Sequence, residues 1–364
     1  MKILFVTNAY GASGAEEHIL DLSDWLSTNG AEPVFLVREE GVFKEKVRQR
    51  GFPFRTASRN GARTLLSLPQ TVVALLREKP DVVSINREHD LIVGYLSAAL
   101  SRPLLRRAPK LAAVFHTPTG RRIPLLRRFD GIVCTSRFTA EAFCRSNPGM
   151  RERARVIPYG IRLWPVDAET KLDKHRARRF FRDKGFPIIG MVGELWKNQE
   201  ELVDAARAIV REIPETTIAF VGGGWQRQSD ALHEKVRAAG LENNVVLTGR
   251  VDRSRIPDIF FDFDLSVSTH RNEGFGIVHI ESLCSLTPVV AYNVGGYVEM
   301  LGQGGGVLVD GGRDEFAKAV VGLLRDHEER RRLALQGRKV VEERHSLERM
   351  GRDHLDVYRS LVAG

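Results

Sequence analysis

The sequence predicts an α/β protein built from two doubly wound parallel sheets. Three observations carry this. Short apolar runs of strand length alternate with stretches of helical periodicity; the alternation stops in a polar, charged segment at 162–184 carrying Pro165 and then restarts; and glycine clusters follow the apolar runs.

Taken in order, residues 3–7 form a short buried strand, Asn8-Ala9-Tyr10-Gly11-Ala12-Ser13-Gly14 a loop, and 15–27 a helix with Ile19, Leu22 and Leu26 on one face, stopped by Asn29-Gly30. Further strands are expected at 33–38, 82–86, 111–116 and 131–136, with helices near 43–50, 66–78, 90–101 and 137–145 between them. The second series opens with a strand at 188–193. It continues as helix 200–212, strand 217–221, helix 229–239, strand 245–248, short helix 254–260, strand 265–268, helix 276–285, strands 289–291 and 306–309, and helix 313–326. The last stretch, 328–362, reads as helical, with Leu355, Val357, Tyr358 and Leu361 available to dock. Ligands of such sheets sit outside the carboxyl ends of the strands, where the glycine clusters fall, and between two domains in their cleft.

A chain of 364 residues fits two domains of about 150–200 residues, each able to bury a core. A composition 43% hydrophobic and 28% charged is that of a soluble globular protein, and no apolar run approaches the roughly 18 residues of a membrane span. The start, Met1-Lys2-Ile3-Leu4-Phe5-Val6, enters a strand directly, which reads as a mature cytosolic N-terminus. Cys134, Cys144 and Cys284 are widely spaced among apolar neighbours, as reduced core thiols are; neither a disulfide framework nor a zinc site is indicated. The net charge of +9 is unevenly placed: residues 1–165 hold 26 Lys and Arg against 15 Asp and Glu, so the remainder is slightly acidic. The N-terminal half therefore offers an anionic partner a surface, either nucleic acid or acidic lipid.

The chemistry concentrates at Thr269-His270-Arg271-Asn272-Glu273-Gly274-Phe275-Gly276-Ile277-Val278-His279-Ile280-Glu281, a strand end, a glycine loop and a helix start. Two glycines around Phe275 let backbone approach a ligand, and the amides of a helix N-terminus receive anions such as phosphates. Glu273 and Glu281 are then roughly 10 Å apart, too far to share a proton, so they hold different parts of one ligand. The plainer reading is a helix start with one acid serving the dipole and the other solvated.

Glu273 and Glu281 around Gly274-Phe275-Gly276, followed by Pro288-Val289-Val290-Ala291 and Gly295-Gly296, resemble the E-x7-E signature of retaining GT-B glycosyltransferases of the glycosyl-transferase-group-1 type, family four. The resemblance implies two Rossmann-like domains facing a cleft: 1–163 for the acceptor, a linker at 164–185, 186–344 for the nucleotide-sugar donor, and a terminal helix at 345–364 returning to the first domain. It makes Glu273 the residue that acts on the transferred sugar, with the amides of Gly274, Phe275 and Gly276 on the phosphates and Glu281 on the ribose diol. His116, ending the strand in Phe115-His116-Thr117-Pro118, takes the place of the family histidine beside the anomeric carbon; a lone histidine there is otherwise a hydrogen-bonded structural residue.

Gly193-Glu194-Leu195-Trp196-Lys197 matches the family's diphosphate loop at Lys197, but Glu194 stands where an arginine is usual. That removes a cation from a site holding about two negative charges, and Arg250 is the candidate substitute. Leu247-Thr248-Gly249-Arg250-Val251 occupies the place where the family holds the base by main-chain contacts, and Gly222-Gly223-Gly224 that of a turn near the nucleotide. Gly11-x-Ser13-Gly14-Ala15-Glu16 lacks the G-x-G-x-x-G spacing of a nicotinamide site; it is either a turn with a helix cap or the family's first-domain loop, with Gly14 against the donor phosphate. Asp262-Phe263-Asp264 has D-x-D spacing, but the family has a capping Asp here, so no metal is expected; His279-x-Glu281 lacks the Pro-Cys-x-x-Cys partner of a zinc deaminase.

Arg121, Arg122, Arg127 and Arg128 with Arg102, Arg106, Arg107 and Lys110 bracket Leu104, Leu105, Ile123, Leu125 and Leu126. Basic residues interleaved with aliphatics suit an anionic bilayer surface, whereas nucleic-acid sites add stacking aromatics; a solvated charged face is the alternative. The expectation is a retaining, metal-independent glycosyltransferase with no cofactor beyond its nucleotide-diphosphate-sugar substrate. It would serve an acceptor glycan or glycolipid in cell-envelope or polysaccharide assembly, in the cytoplasm or peripheral on the inner membrane face, without nucleic acid. A GT-B epimerase or phosphorylase, a non-catalytic nucleotide-sugar-binding subunit, and a Rossmann oxidoreductase are the rivals.

Overall fold

The computed structural model describes residues 1–11, 13–58, 66–173 and 176–364. Ala12 of the first loop and residues 174–175 of the linker segment lie outside them. The chain divides into two units, Met1–Arg162 with Leu347–Gly364, and Leu163–Ser346.

In the first unit, seven parallel strands lie in the order β3-β2-β1-β4-β5-β6-β7: β1 (Lys2–Thr7), β2 (Glu32–Arg38), β3 (Phe54–Ala57), β4 (Val82–Ile85), β5 (Lys110–Phe115), β6 (Gly131–Cys134) and β7 (Ala154–Val156). The crossovers carry α1 (Gly14–Thr28), α2 (Val42–Gln49), α3 (Leu68–Glu78), α4 (Leu91–Ser101) and α5 (Arg137–Ser146). Continuous apolar strands are buried on both faces: Ile3 and Phe5 pack toward α1, Leu4 and Val6 toward the opposite face with Leu75, Leu91 and Phe143. The sequence pattern missed β3 and β7 because these edge strands carry exposed residues, such as Arg55 and Arg155, in place of an apolar run.

In the second unit, six parallel strands follow the order β10-β9-β8-β11-β12-β13: β8 (Ile188–Val192), β9 (Thr217–Val221), β10 (Val245–Leu247), β11 (Leu265–Ser268), β12 (Val289–Tyr292) and β13 (Gly306–Val309). Its helices are α6 (Ala168–Leu172), α7 (Gln199–Glu212), α8 (Gln226–Ala238), α9 (Ile256–Asp262), α10 (Ile277–Cys284), α11 (Gly296–Leu301), α12 (Arg313–Arg325) and α13 (His327–Arg344). The stretch read as helical at 328–362 is two helices, because the chain turns at His345-Ser346 and Leu347 N–H donates to Ile161 O (2.9 Å). The second piece, α14 (Leu347–Ala363), packs on α1 in the first unit, where Gly351 lies against the Trp25 ring.

Three polar stretches behave differently from the plain reading of their composition. In the polar segment before β8, Lys171 is buried and donates to the carbonyls of Phe260, Phe261 and Phe263 at the end of α9. Asp262 spends its carboxylate on the N–H groups of Arg179, Phe180 and Phe181, and Asp264 accepts from Ile188 N–H through one oxygen and from Arg176 through the other (3.1 Å). Leu126 is fully buried and Ile123 and Leu125 pack against the same core, so the apolar residues between Arg121 and Arg128 belong to the interior, while Leu104 is exposed.

Candidate active site

In the second sheet the strand order reverses between β8 and β11, the switch point at which doubly wound sheets open a crevice for ligands. The loops leaving these two strands carry Lys197 and Glu273, and Lys197 Nζ donates to Glu273 Oε2 at 2.6 Å. Both side chains are largely buried. Burial alone would raise the carboxyl pKa, but the lysine beside it holds Glu273 below its ordinary value, so it is ionised. The two loops are tied together elsewhere as well. Thr269 Oγ1 donates to Asn198 O (2.7 Å), Asn198 Nδ2 to Thr269 O (3.2 Å), and Arg271 pairs with Glu201 on α7 (2.9 Å).

Gly276 opens α10 at φ +87°, a left-handed conformation strained for any residue with a Cβ, and an added Cβ would lie 2.7 Å from the His279 ring. Gly296 meets the backbone of the same loop: its N–H donates to Glu273 O (2.9 Å), and a Cβ would strike Gly274 O at 2.5 Å. The glycines therefore fix the loop at the N-terminus of α10, the helix end that receives anions; of its first-turn amides, His279 N–H is taken by Gly276 O (2.9 Å). The Phe275 side chain is buried edge-on to His345 (5.4 Å), so only its backbone is available to a ligand. Further into α10, Glu281 is buried rather than solvated and pairs with Arg253 at 3.0 Å.

His279, set aside in the sequence, lies under this site. Burial pushes its pKa down to about 4, against the pull of Glu273, so it is a neutral ring packed on Tyr297. Tyr297, on the helix that Gly295-Gly296 opens, is hydrogen-bonded to Ser268 at 2.7 Å. The signal for His279 was present: it stands three residues after Gly276, the spacing that returns a helical side chain to its own N-terminus.

Arg250 pairs with Glu194 at 2.8 Å, so the cation proposed to replace the missing arginine is held by the residue that replaced it. Val251 packs against the core around Phe181 and Ile188, leaving its main chain for contacts.

In the first unit, His116 follows β5 and is hydrogen-bonded through Nδ1 to Tyr159 Oη (2.8 Å), while its buried Nε2 has no partner among the described residues. Burial sets its pKa at about 4, with Glu16 and Arg87 pulling in opposite directions. It is therefore a neutral imidazole with one nitrogen committed and one open. His18 and His354 complete a buried group, each with a ring centroid 5.8 Å from its neighbour. At the start of α1, Glu16 accepts from Ser13 N–H (2.9 Å) and pairs with Arg87, which caps the helix at Ser13 and sets Gly14 as the first helical residue.

Family comparisons take in both units. The profile for Glycosyltransferase Family 4 matches residues 12–164, and that for Glycosyl transferases group 1 matches 173–340, the half containing Lys197, Glu273 and Glu281. The chain belongs to the group-1 glycosyltransferases. It is 31% identical over 241 residues to a D-inositol 3-phosphate glycosyltransferase of Xylanimonas cellulosilytica, covering 63% of this chain and 56% of that protein. It is 30% identical over 223 residues to the lipopolysaccharide core biosynthesis mannosyltransferase LpsB of Rhizobium meliloti, covering 58% and 60%. The chain thus spans little more than half the length of these curated relatives. Among solved structures, Anabaena Alr3699/HepE in complex with UDP-glucose aligns with a TM-score of 0.83 over 99% of this glycosyltransferase and 100% of that chain, at 22% identity. Sucrose-phosphate synthase from Thermosynechococcus elongatus aligns with a TM-score of 0.79 over 100% and 99%, at 19% identity. At those identities the likeness shows the fold, which is the two-domain, Rossmann-like GT-B fold of two parallel sheets.

Proposed function

We propose that this glycosyltransferase moves a hexose-type sugar from a nucleotide diphosphate to an acceptor hydroxyl, with retention at the anomeric carbon, in assembly of cell-envelope glycolipid or polysaccharide. The observation that carries the reading is the Lys197–Glu273 pair at the switch point of the second sheet, a cation for the leaving diphosphate beside a carboxylate for the sugar. The names of the relatives, an LPS-core mannosyltransferase among them, and the UDP-glucose bound to HepE support it.

In this reading Lys197 and the first-turn amides of α10 stabilise the charge that develops on the departing diphosphate, so no metal is required there. The acceptor loses its proton to that phosphate on the same face of the sugar. Glu281 takes the ribose diol, and the main chain at Arg250 and Val251 the base. His116 offers its open Nε2 to the donor sugar; a neutral ring suits a hydrogen bond to a hydroxyl. The enzyme works at the cytosolic face of a membrane.

The experiment is thermal shift with UDP, GDP, ADP and dTDP and their hexose conjugates, followed by release of the nucleotide diphosphate in the presence of glycan acceptors. One nucleotide should stabilise the protein, by about 2.7 kcal/mol at 100 times its dissociation constant. Absence of stabilisation by all of them overturns the reading. Binding without release under any acceptor selects instead a nucleotide-sugar-binding protein without turnover, which the Glu194–Arg250 pair favours because it removes a cation from the diphosphate.

A further inference from the structure

The second unit has a pocket that none of the proposed donor residues lines. It is about 750 Å³ in volume, lies between the loop after β8 and the start of α8, and has Trp196, Trp225, Asn198, Gln199, Arg227 and Gln228 in its walls. Lys197, Glu273 and Glu281 are absent from them. The volume falls within the range of small-molecule sites, roughly 300–1,000 Å³.

Two features distinguish it from an ordinary surface hollow. Trp196 is 58% exposed and Trp225 81%, so two of the chain's four tryptophans hold indole surface in water at one place. An indole is a large apolar face with one polar edge, and leaving two of them uncovered is unfavourable unless something covers them. The second feature is Gln199. It is 2% exposed and donates through Nε2 to Glu194 O at 2.7 Å, yet its buried Oε1 has no partner among the described residues. A buried acceptor without a donor costs about 1–3 kcal/mol, and a ligand hydroxyl would relieve it. The Trp225 backbone is itself fixed, since its N–H donates to Gln228 Oε1 at 2.9 Å.

A pyranose ring has an apolar C–H face and a rim of hydroxyls, which matches indole faces ringed by two amides, a guanidinium and an orphan carbonyl. We propose that this pocket seats a hexopyranose unit already present in the acceptor glycan, so that the acceptor is a saccharide gripped by the donor-binding unit. The inference rests on the glycosyltransferase reading for the word acceptor, while saccharide binding itself does not. The location supports it: Trp196 and Asn198 flank Lys197 in one loop, and Trp196 meets His270, in the loop that carries Glu273, at 5.4 Å between rings. A sugar held here lies beside the diphosphate seat without occupying it.

The test titrates the full chain with maltotriose, an α-1,6-mannotriose and a β-1,4-galactotriose, following tryptophan emission and saturation-transfer NMR. It is repeated on Trp225→Ala and Trp225→Phe, with UDP and GDP as separate titrants. Trp225 is exposed, so its variants should melt as the wild type does. At least one trisaccharide should bind with saturation, Trp225→Ala should weaken it by about tenfold or more, Trp225→Phe should restore part of the loss, and nucleotide binding should be unchanged throughout. Trisaccharide binding lost in Trp225→Ala while no nucleotide binds the wild type leaves the pocket standing and removes the donor reading. No saturable binding of any trisaccharide, or equal binding by Trp225→Ala, overturns the proposal. Loss of nucleotide binding in Trp225→Ala also overturns it, because the indole would then be a stacking seat for the base.

Discussion

Lys197 Nζ and Glu273 Oε2 lie 2.6 Å apart although the residues are separated by 76 positions in the chain. The pair exists because β8 and β11 are neighbours in the sheet while their crossovers leave in opposite directions, so two loops distant in sequence emerge side by side. Its consequence is competition: the lysine that would balance a donor diphosphate is already neutralised by the carboxylate that would act on the sugar.

Glu273→Gln should therefore separate the two roles. Turnover should fall by about 10²-fold, a barrier increase of roughly 2.7 kcal/mol, because the carboxylate acts as positive charge develops on the sugar. Affinity for the bare nucleotide diphosphate should hold or rise, since Lys197 loses its competing partner. Calorimetry with the nucleotide alongside donor turnover checks this, and a parallel loss of both would show that the residue is misassigned.

Glu281→Ala should weaken nucleotide binding by about 1.5–3 kcal/mol, the range for a hydrogen bond to a charged group. Arg253 loses its 3.0 Å partner in this variant, so melting is measured in parallel. Equal nucleotide affinity in a folded variant would remove the ribose assignment.

Much of this was legible in the sequence for a definite physical reason. A parallel strand buried on both faces is mostly apolar, so β1, β8 and β12 announce themselves, β11 alternates Leu265 and Val267 with two buried serines, and the glycines after these strands mark backbone that has to come close to something. The edge strands β3 and β7 were not legible because one side of each is solvent. Nor could the sequence tell that Glu281 is buried on Arg253, or that Arg250 is held by Glu194, since ion pairs across crossovers leave no local pattern. Gly296 was legible only as part of a resemblance, for a related reason: what it permits is contact with Gly274, 22 positions earlier.

Glu194→Gln should release Arg250 from its 2.8 Å pair while keeping the side-chain volume. The freed guanidinium can then turn to the diphosphate, so nucleotide-diphosphate affinity should rise, and more at low salt than high because Arg250 is exposed. Calorimetry at two salt concentrations is the measurement. No change at either would show that Arg250 stands outside the donor site.

Acid should destabilise the first unit through its buried histidines. His116 and His354 have pKa values lowered by burial from the ordinary 6.5 to about 4 and about 3, and His18 is lowered in the same direction. The unfolded chain takes up these protons as pH falls through 6.5, whereas the folded chain resists until pH nears 4. Between those values the unfolded state binds more protons, so stability is full above 6.5 and is lost as pH falls toward 4. Glu16 and Arg87 are the charged groups acting on His116, with opposite effects. Melting temperature against pH should show this slope, and His354→Leu should flatten it; an equal slope would exclude His354 as a source.

Contact of the first unit with anionic lipid is proposed from one exposed apolar stripe beside arginines. Ile92, Leu96, Leu100 and Leu104 recur every fourth residue along α4 and the turn after it, and all four are exposed, Leu104 at 72%. That stripe was hidden in the sequence because α4 is apolar nearly all round. It abuts the turn Pro124–Arg128, whose Arg127 and Arg128 are exposed, as are Arg121 and Arg122 just before it and Arg102, Arg106 and Arg107 beside Leu104. No helix among the described residues is long and apolar enough to cross a membrane; the contact predicted is an apolar stripe entering the interface while arginines meet headgroups. Each basic residue near an acidic leaflet contributes about 1 kcal/mol, so reversing Arg121, Arg122, Arg127 and Arg128 to Glu should abolish sedimentation with phosphatidylglycerol vesicles. Leu100→Ser with Leu104→Ser should weaken it while leaving its salt dependence in place. Equal sedimentation by the charge-reversed variant, or none by the wild type, removes the membrane from the proposed function and leaves the arginines as a solvated face.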